Sequence, residues 1–387
     1  MRNMENKNKD FHLIRTNNGE WISDEYAICN LSKEEVLNFE RKAEACGLPL
    51  DVNEGPDGTY WVYKWQVEAI NIKPKTYNNM EINRRSISEK FLEDLKVGEL
   101  HPITDLVRVD PYLDMEMRGN CVMVYYRGGR ILTIYEDKTI EGLVEEYYPL
   151  YVKIERVHPL IDNIENYLSH AKHIVDLHES SKYSKLGEKE IQQCIVYENN
   201  MSVNAENTDY FIADIEWADN GKLGGRADIV AFRWNHMEHR KREIQLTLIE
   251  VKQGENAITT SETKDGLTAG LSKHYDDFIR FAKDSEYVKS IAADMLLILK
   301  QKKELGLVKG IDMLFEDGNH LPKVPTIKSE PDFIFLLANY HHYSTKLKEE
   351  CKKLPDDCKF IYASFCGYGL YKDFITTSKC ILQSTEA

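Results

Sequence analysis

Three apolar runs, residues 209–217, 226–234 and 245–253, follow one another closely, and a helical pattern lies on either side of them. Their content of β-branched and aromatic residues predicts strands. The helix before them spans about residues 186 to 198, and a long helical region begins near residue 267. After it, "DFIFLLANY" reads as a buried strand, "STKLKEECKKL" as a short helix and "KFIYASF" as another strand. Helix, three strands, helix, strand predicts an α/β fold with helices flanking one mixed sheet.

Asp228, Glu250 and Lys252 stand inside these runs, where an unpaired charge is costly to bury. Strand alternation puts Glu250 and Lys252 on one face and Ile249 and Val251 on the other. Asp228 begins the preceding strand, just after Gly224-Gly225, and in a hairpin its carboxylate lies beside Glu250. Two carboxylates that close repel and raise a pKa unless a cation sits between them. All-oxygen ligands of this kind suit Mg²⁺ or Mn²⁺.

In the helix "GEKEIQQCIVYEN", at about 100° per residue, Glu188 shares a side with Ile191, Gln192 and Ile195, and Glu190 points to the opposite one. Glu188 is expected to face the sheet, with Glu190 the alternative. Downstream, "GLTAGLSKHYDDFIRF" begins a helix whose Lys273 and His274 either reach the same edge or serve structure and solvent. A lone E-x-K also fits a solvated cross-strand ion pair. The acids on two neighbouring strands and on a phased helix are what favour a catalytic site.

The order Glu188, Asp228, then Glu250-Val251-Lys252, on a helix and two successive strands, resembles the PD-(D/E)XK nuclease superfamily, the fold of many restriction endonucleases and RecB-like nucleases. Ala227 stands where the motif's name has Pro. The resemblance covers about residues 186–387 and implies a restriction-endonuclease-like mixed sheet. It implies that Asp228, Glu250 and the backbone carbonyl of Val251 hold Mg²⁺ or Mn²⁺, and that Lys252 stands near the attacking water. Glu188 steers the ion's hydration or helps hold a second one, and Arg226, Gln253, Lys273 and His274 are the substrate-contact candidates. The implied activity is metal-dependent hydrolysis of phosphodiesters, by an endonuclease acting on DNA in preference to RNA, in restriction or anti-phage defence. A nuclease fold that binds nucleic acid or a protein partner without cutting is the rival.

A chain of 387 residues exceeds what one core usually fills. The expected division is a smaller α+β N-terminal domain (1–150), a helical connector (151–185) and the nuclease-like domain (186–387). In the first, "LSKEEVLNFERKAEACG" carries a capping box, Ser32 with Glu35, and "SISEKFLEDLKVG" a second, Ser86 with Glu89. "CVMVYYRGGRILTIYED" reads as a β-hairpin around Arg127-Gly128-Gly129, and nothing in this domain names a chemistry.

The eight cysteines show no C-x-x-C pair, which favours reduced core thiols over structural zinc. A net charge of −14 disfavours coating nucleic acid by bulk attraction but allows a local basic groove or a neutralising ion. Arg240-Lys241-Arg242 reads as a solvated hairpin tip, and the Gly pairs lack the G-K-[ST] of a phosphate loop. The polar opening lacks the apolar middle of a secretory signal, and no run is long enough to cross a bilayer, so a cytoplasmic location is expected. A homo-oligomer is compatible with all of this.

Overall fold

The computed structural model describes residues 84–143, 160–182, 187–218, 226–234, 242–263, 266–316, 323–338, 344–363 and 367–383, Tyr340, and shorter stretches at 13–15, 21–23, 27–46, 52–54, 60–63 and 151–154. The chain is a mixed α/β protein. Among the described residues it has 11 helices, a seven-stranded mixed sheet and smaller antiparallel sheets. It forms two compact units: Met1–Tyr77 with Asp312–Pro325, and Asn78–Ile311 with Thr326–Ala387.

In the first unit β1 (Leu13–Arg15) pairs with β2 (Trp21–Ser23). Strand β3 (Ala27–Leu31), helix α1 (Lys33–Cys46), β4 (Val52–Glu54) and β5 (Tyr60–Tyr63) follow, the strands in the order β3-β5-β4. The Ser32 and Glu35 capping box is present. Ser32 N donates to Glu35 Oε2 at 2.8 Å, and Glu35 N donates to Ser32 Oγ at 3.3 Å. Gly47, the last residue of "LSKEEVLNFERKAEACG" and by its type a helix stop, lies outside the described residues.

The second unit opens with α2 (Glu89–Lys96), and here the expected cap is corrected. Ser88, not Ser86, caps the helix, accepting from Phe91 N at 3.2 Å. Ser86 Oγ instead donates to Asp294 Oδ1 at 2.6 Å. A buried carboxylate needs donors more than an exposed helix end does.

Helix α3 (His101–Val109) leads into an antiparallel sheet of β6 (Leu113–Met117), β7 (Cys121–Tyr126), β8 (Gly129–Tyr135), β9 (Ile140–Leu143) and β10 (Tyr151–Ile154). Arg127 and Gly128 close the expected β7–β8 hairpin with φ of +47° and +77°, the signs of a type I′ turn. The connector expected at 151–185 begins as strand β10, and its helix, α4, spans Ile164–Lys182. This sheet belongs to the same compact unit as the one that follows.

That larger sheet is entered by helix α5 (Glu188–Asn200) and strands β11 (Tyr210–Ala218), β12 (Arg226–Arg233) and β13 (Glu243–Gln253), all antiparallel. Next come α6 (Glu255–Ile258) and a small hairpin of β14 (Ser261–Thr263) and β15 (Gly266–Ala269), then α7 (Leu271–Ala282) and α8 (Ser285–Glu304). The helical region expected from residue 267 is thus a strand until Gly270, whose φ of +88° breaks the chain direction before α7. Beyond α9 (Asp312–Phe315) and β16 (Thr326–Ile327), β17 (Asp332–Ala338) runs parallel to β13. Helix α10 (Thr345–Cys351) crosses to β18 (Lys359–Ala363), parallel to β17, and β19 (Thr376–Thr377) and α11 (Ser378–Gln383) close the unit. The order is β11-β12-β13-β17-β18-β19, with β16 also beside β13.

Alternation sorts the core. Ile229, Ile249, Val251, Ile334 and Leu336 face Ile191, Ile195 and Val196 of α5. Phe333 and Phe335 face the other way, where Phe278 of α7 stacks on Phe333 at 4.8 Å. Cys121, Cys351 and Cys358 are buried free thiols. Among the described residues no helix is long and apolar enough to cross a membrane.

A buried charge network joins β6 to β11 and α8. Asp214 accepts from Arg85 at 2.6 Å and Arg118 at 2.5 Å, and Lys302 Nζ donates to Glu116 Oε1 at 2.7 Å. Three cations thus face Asp114, Glu116 and Asp214. Burial holds Asp114 and Glu116 above the usual carboxylate range, Glu116 at about 8, against the opposing pull of Lys302.

Candidate functional site

Strands β12 and β13 pair from Arg233↔Gln245 to Ile229↔Ile249 and then part. Asp228 is the next residue toward the fork, and continuing the register sets it opposite Glu250. Opposed residues of an antiparallel pair share a face, so Asp228, Glu250 and Lys252 all stand on the side away from α5. Where the ladder stops, Asp228 supplies the missing acceptor: its Oδ2 takes the backbone N–H of Val251 at 2.7 Å. Exposures of 6%, 3% and 7% for Asp228, Glu250 and Lys252 rule out the solvated ion pair that an isolated E-x-K allows.

Lys252 Nζ donates to Glu250 Oε1 at 2.6 Å, and His274 Nδ1, from the first turn of α7, lies 3.0 Å from the same oxygen. Glu250 Oε2 is buried and has no hydrogen-bond partner. Burial pushes the Glu250 carboxyl up, but hydrogen bonds and charge from His274 and Lys252 outweigh it and hold the group low. Asp228 goes the other way. Burial first, then the Glu250 charge, lift it to about 8.

Glu188 opens α5 and is half-buried. Burial raises its pKa, the Lys252 charge lowers it and the Glu250 charge raises it, so its carboxyl shares their field. Glu190 is drawn off by the β7–β8 turn, where Arg127 Nε donates to it at 2.7 Å. Gly128 N donates to Gln193, and a Cβ on Gly128 would come within 2.6 Å of Lys189 Cβ. The hairpin tip thus fixes the rotation of α5 and leaves Glu188 to the site. Three carboxyls then share one lysine and one histidine, an excess of negative charge that a cation would relieve.

The other expected residues divide. His274 reaches the site through Glu250, whereas Lys273 pairs with Asp277 on its own helix. Arg226 is exposed at the start of β12, and Gln253 ends β13, half-buried. Arg240 and Lys241 lie outside the described residues. Sequence reasoning missed the Arg127 brace, although the positive-φ turn it needs was legible in "RGG". Glu250 Oε2, without a partner, and the Asp228 carboxyl are oxygen donors of the kind a hard divalent ion takes. Among the described residues no group of three or more His, Cys, Asp or Glu side chains is gathered as a metal site.

Two outcomes are expected of this geometry. Between Asp228's ordinary value of 3.8 and about 8, the folded state keeps a proton that the unfolded chain releases. Stability in chelator should therefore fall as pH rises through that window. Urea midpoints at several pH values should show the slope, and Asp228→Asn should flatten it; an unchanged slope in that variant rejects the assignment. Separately, a Cβ on Gly270 would overlap the Thr259 carbonyl and Thr260 Cα at a backbone angle that side chains avoid. Gly270→Ala should destabilise by about 2 to 4 kcal/mol, read by urea titration, and displace the turn that carries His274.

Comparison with protein-family models, with curated proteins and with solved structures finds no match for this chain.

Proposed function

We propose that this protein is a divalent-metal-dependent nuclease with a restriction-endonuclease-like sheet, hydrolysing phosphodiesters, with DNA the favoured substrate and restriction or anti-phage defence its setting. The observation that carries the reading is the gathering of Asp228, Glu250 and Lys252 on one face at the β12–β13 fork, within the field of Glu188. Asp228, Glu250 and the Val251 carbonyl would hold the ion. Bound Mg²⁺ or Mn²⁺ would supply the charge that polarises the phosphate and makes a water acidic.

The chain's own groups do the rest. Lys252 Nζ, held on Glu250, positions the attacking water, whose proton passes to solvent as it attacks. Attack in line on phosphorus breaks the opposite P–O bond, and the leaving oxygen takes a proton from solvent. Glu188 orients water beside the carboxylates. Arg226, exposed at the start of β12, meets the phosphate backbone, and Gln253 and His274 are the further substrate contacts.

Pure protein incubated with plasmid, linear and single-stranded DNA and with RNA, with Mg²⁺ and with chelator, tests the reading. Cleavage that chelator stops is expected, and binding without cleavage on every substrate would refute it. The rival of a non-cutting module has one observation in its favour, since Lys252 and His274 both close on Glu250 Oε1. A shifted, uncut nucleic acid is the result that identifies it.

A further inference from the structure

The acids of β6 leave two oxygens unaccounted for. Asp114 Oδ2 and Glu116 Oε2 are buried, and among the described residues no donor reaches either of them. The two side chains leave the same face of the strand, and their carboxyls come within hydrogen-bonding range of one another. Two carboxylates offer acceptors and no donor, so a bond between them needs a proton on one. A hydroxyl at Glu116 Oε2 supplies it, since Glu116 Oε1 already accepts from Lys302 Nζ at 2.7 Å. The charged and titratable groups facing Glu116 are Lys302 from α8, Asp114 from β6, Arg118 just after β6, Asp214 from β11 and the Tyr125 phenol from β7.

Arg118 stands between two of these acids. Its Nη1 donates to Asp214 Oδ1 at 2.5 Å and lies 3.7 Å from Glu116 Oε2, beyond a hydrogen bond but close enough to form one after a small shift. Its Nη2 donates to the Ile215 carbonyl at 3.1 Å, and Arg85 donates to the Ile215 and Glu216 carbonyls at 3.2 and 2.9 Å. Glu216 has a φ of +51°, a costly backbone state that persists only where its surroundings hold it. A protonated Oε2 leaves Arg118 to Asp214 and β11. An ionised one competes for the same guanidinium nitrogen and repels Asp114 as well.

We propose that Asp114 and Glu116 share one proton and act as a pH-sensitive latch, whose opening draws Arg118 from Asp214 toward Glu116 and frees β11 at the Ile215–Glu216 bend. The proton belongs to the pair, and the latch needs neither a metal nor a reaction at the fork. Between the ordinary glutamate value of 4.5 and about 8, the folded pair keeps a proton that the unfolded chain releases. The stability it contributes is therefore lost as pH rises through that window.

Infrared titration of the protonated-carboxyl band and hydrogen exchange of the β11 amides, corrected for its intrinsic rise with pH, test the latch. Both are followed through about pH 8 in Asp228→Asn, which silences the other carboxyl expected to titrate there. One carboxyl should release its proton at about 8, and β11 exchange should quicken at the same midpoint. Glu116→Gln copies the protonated form and should lose both changes. Asp114→Asn offers an N–H to an ionised Glu116 and should move both to lower pH. Carboxyls that all titrate in their ordinary range, or a titration that β11 exchange does not follow, overturn the latch. If Glu116→Gln does not fold, Asp114→Asn decides, and an unmoved midpoint in that variant overturns it.

Discussion

Lys252→Met should lower Mg²⁺-dependent cleavage by about a hundred- to ten-thousandfold while the protein stays folded. Methionine keeps most of the length and apolar stem that a 7% exposed side chain needs, and removes only the ammonium. Glu250 then keeps His274 as its partner on Oε1, so the carboxylate is not left alone in the core. Losing a competing cation from that oxygen should also leave Mn²⁺ affinity unchanged or tighter. The variant therefore separates chemistry from ion binding: initial rates collapse and calorimetric affinity does not. Wild-type rates in Lys252→Met would remove the lysine from the reaction, and parallel losses of rate and affinity would reassign it to the ion.

The second large effect lies away from the fork. Lys302→Met removes the cation nearest Glu116, which is 0% exposed and left with Arg118 at 3.7 Å. Above the value of about 8 at which Glu116 titrates, the acid is left as an uncompensated buried charge that costs about 3 to 5 kcal/mol, which urea titration at alkaline pH should show as a lower midpoint. Replacing Glu116 with leucine in the same background removes the stranded acid and should recover most of the loss. A single variant as stable as wild type, or a double variant worse than the single, would contradict the pairing.

These two sites show what the sequence disclosed and what it withheld. The three strands and the helix ahead of them were legible because apolar runs of β-branched residues sit between turn residues, and their register follows from alternation. That register is why Asp228 stands opposite Glu250. Yet "LDMEM" and "FIADIEW" place Glu116 and Asp214 among buried apolar residues in the same way as "ADIV" and "LIEVK" place Asp228 and Glu250. Only the partners differ. Arg85 and Lys302, from sequence-distant segments, and Arg118, from the end of β6, balance the acids of the first group, whereas the second has Lys252 and His274 for three carboxyls. Counting counter-charges needs the tertiary structure, and so did finding the cap at Ser88, where the pull of Asp294 on Ser86 is invisible locally.

Helix phase sets Glu188 apart from Glu190, and in the structure a guanidinium occupies Glu190. The strand at 266–269 was misread as helix because "GLTAGL" has no alternation to mark so short a hairpin. The compact units also follow contacts that are not local in the chain. The chain leaves the second unit at Asp312 and returns at Thr326, and no composition shift announces the excursion.

Asp228 has one further consequence. Its Oδ2 stands in for a main-chain acceptor at the place where two strands separate, so that half of the carboxylate belongs to the scaffold and only Oδ1 is left to greet an incoming ligand. An asparagine can mimic the first half and offer an N–H where the second should be. The scaffold would not register the exchange, and the visitor would.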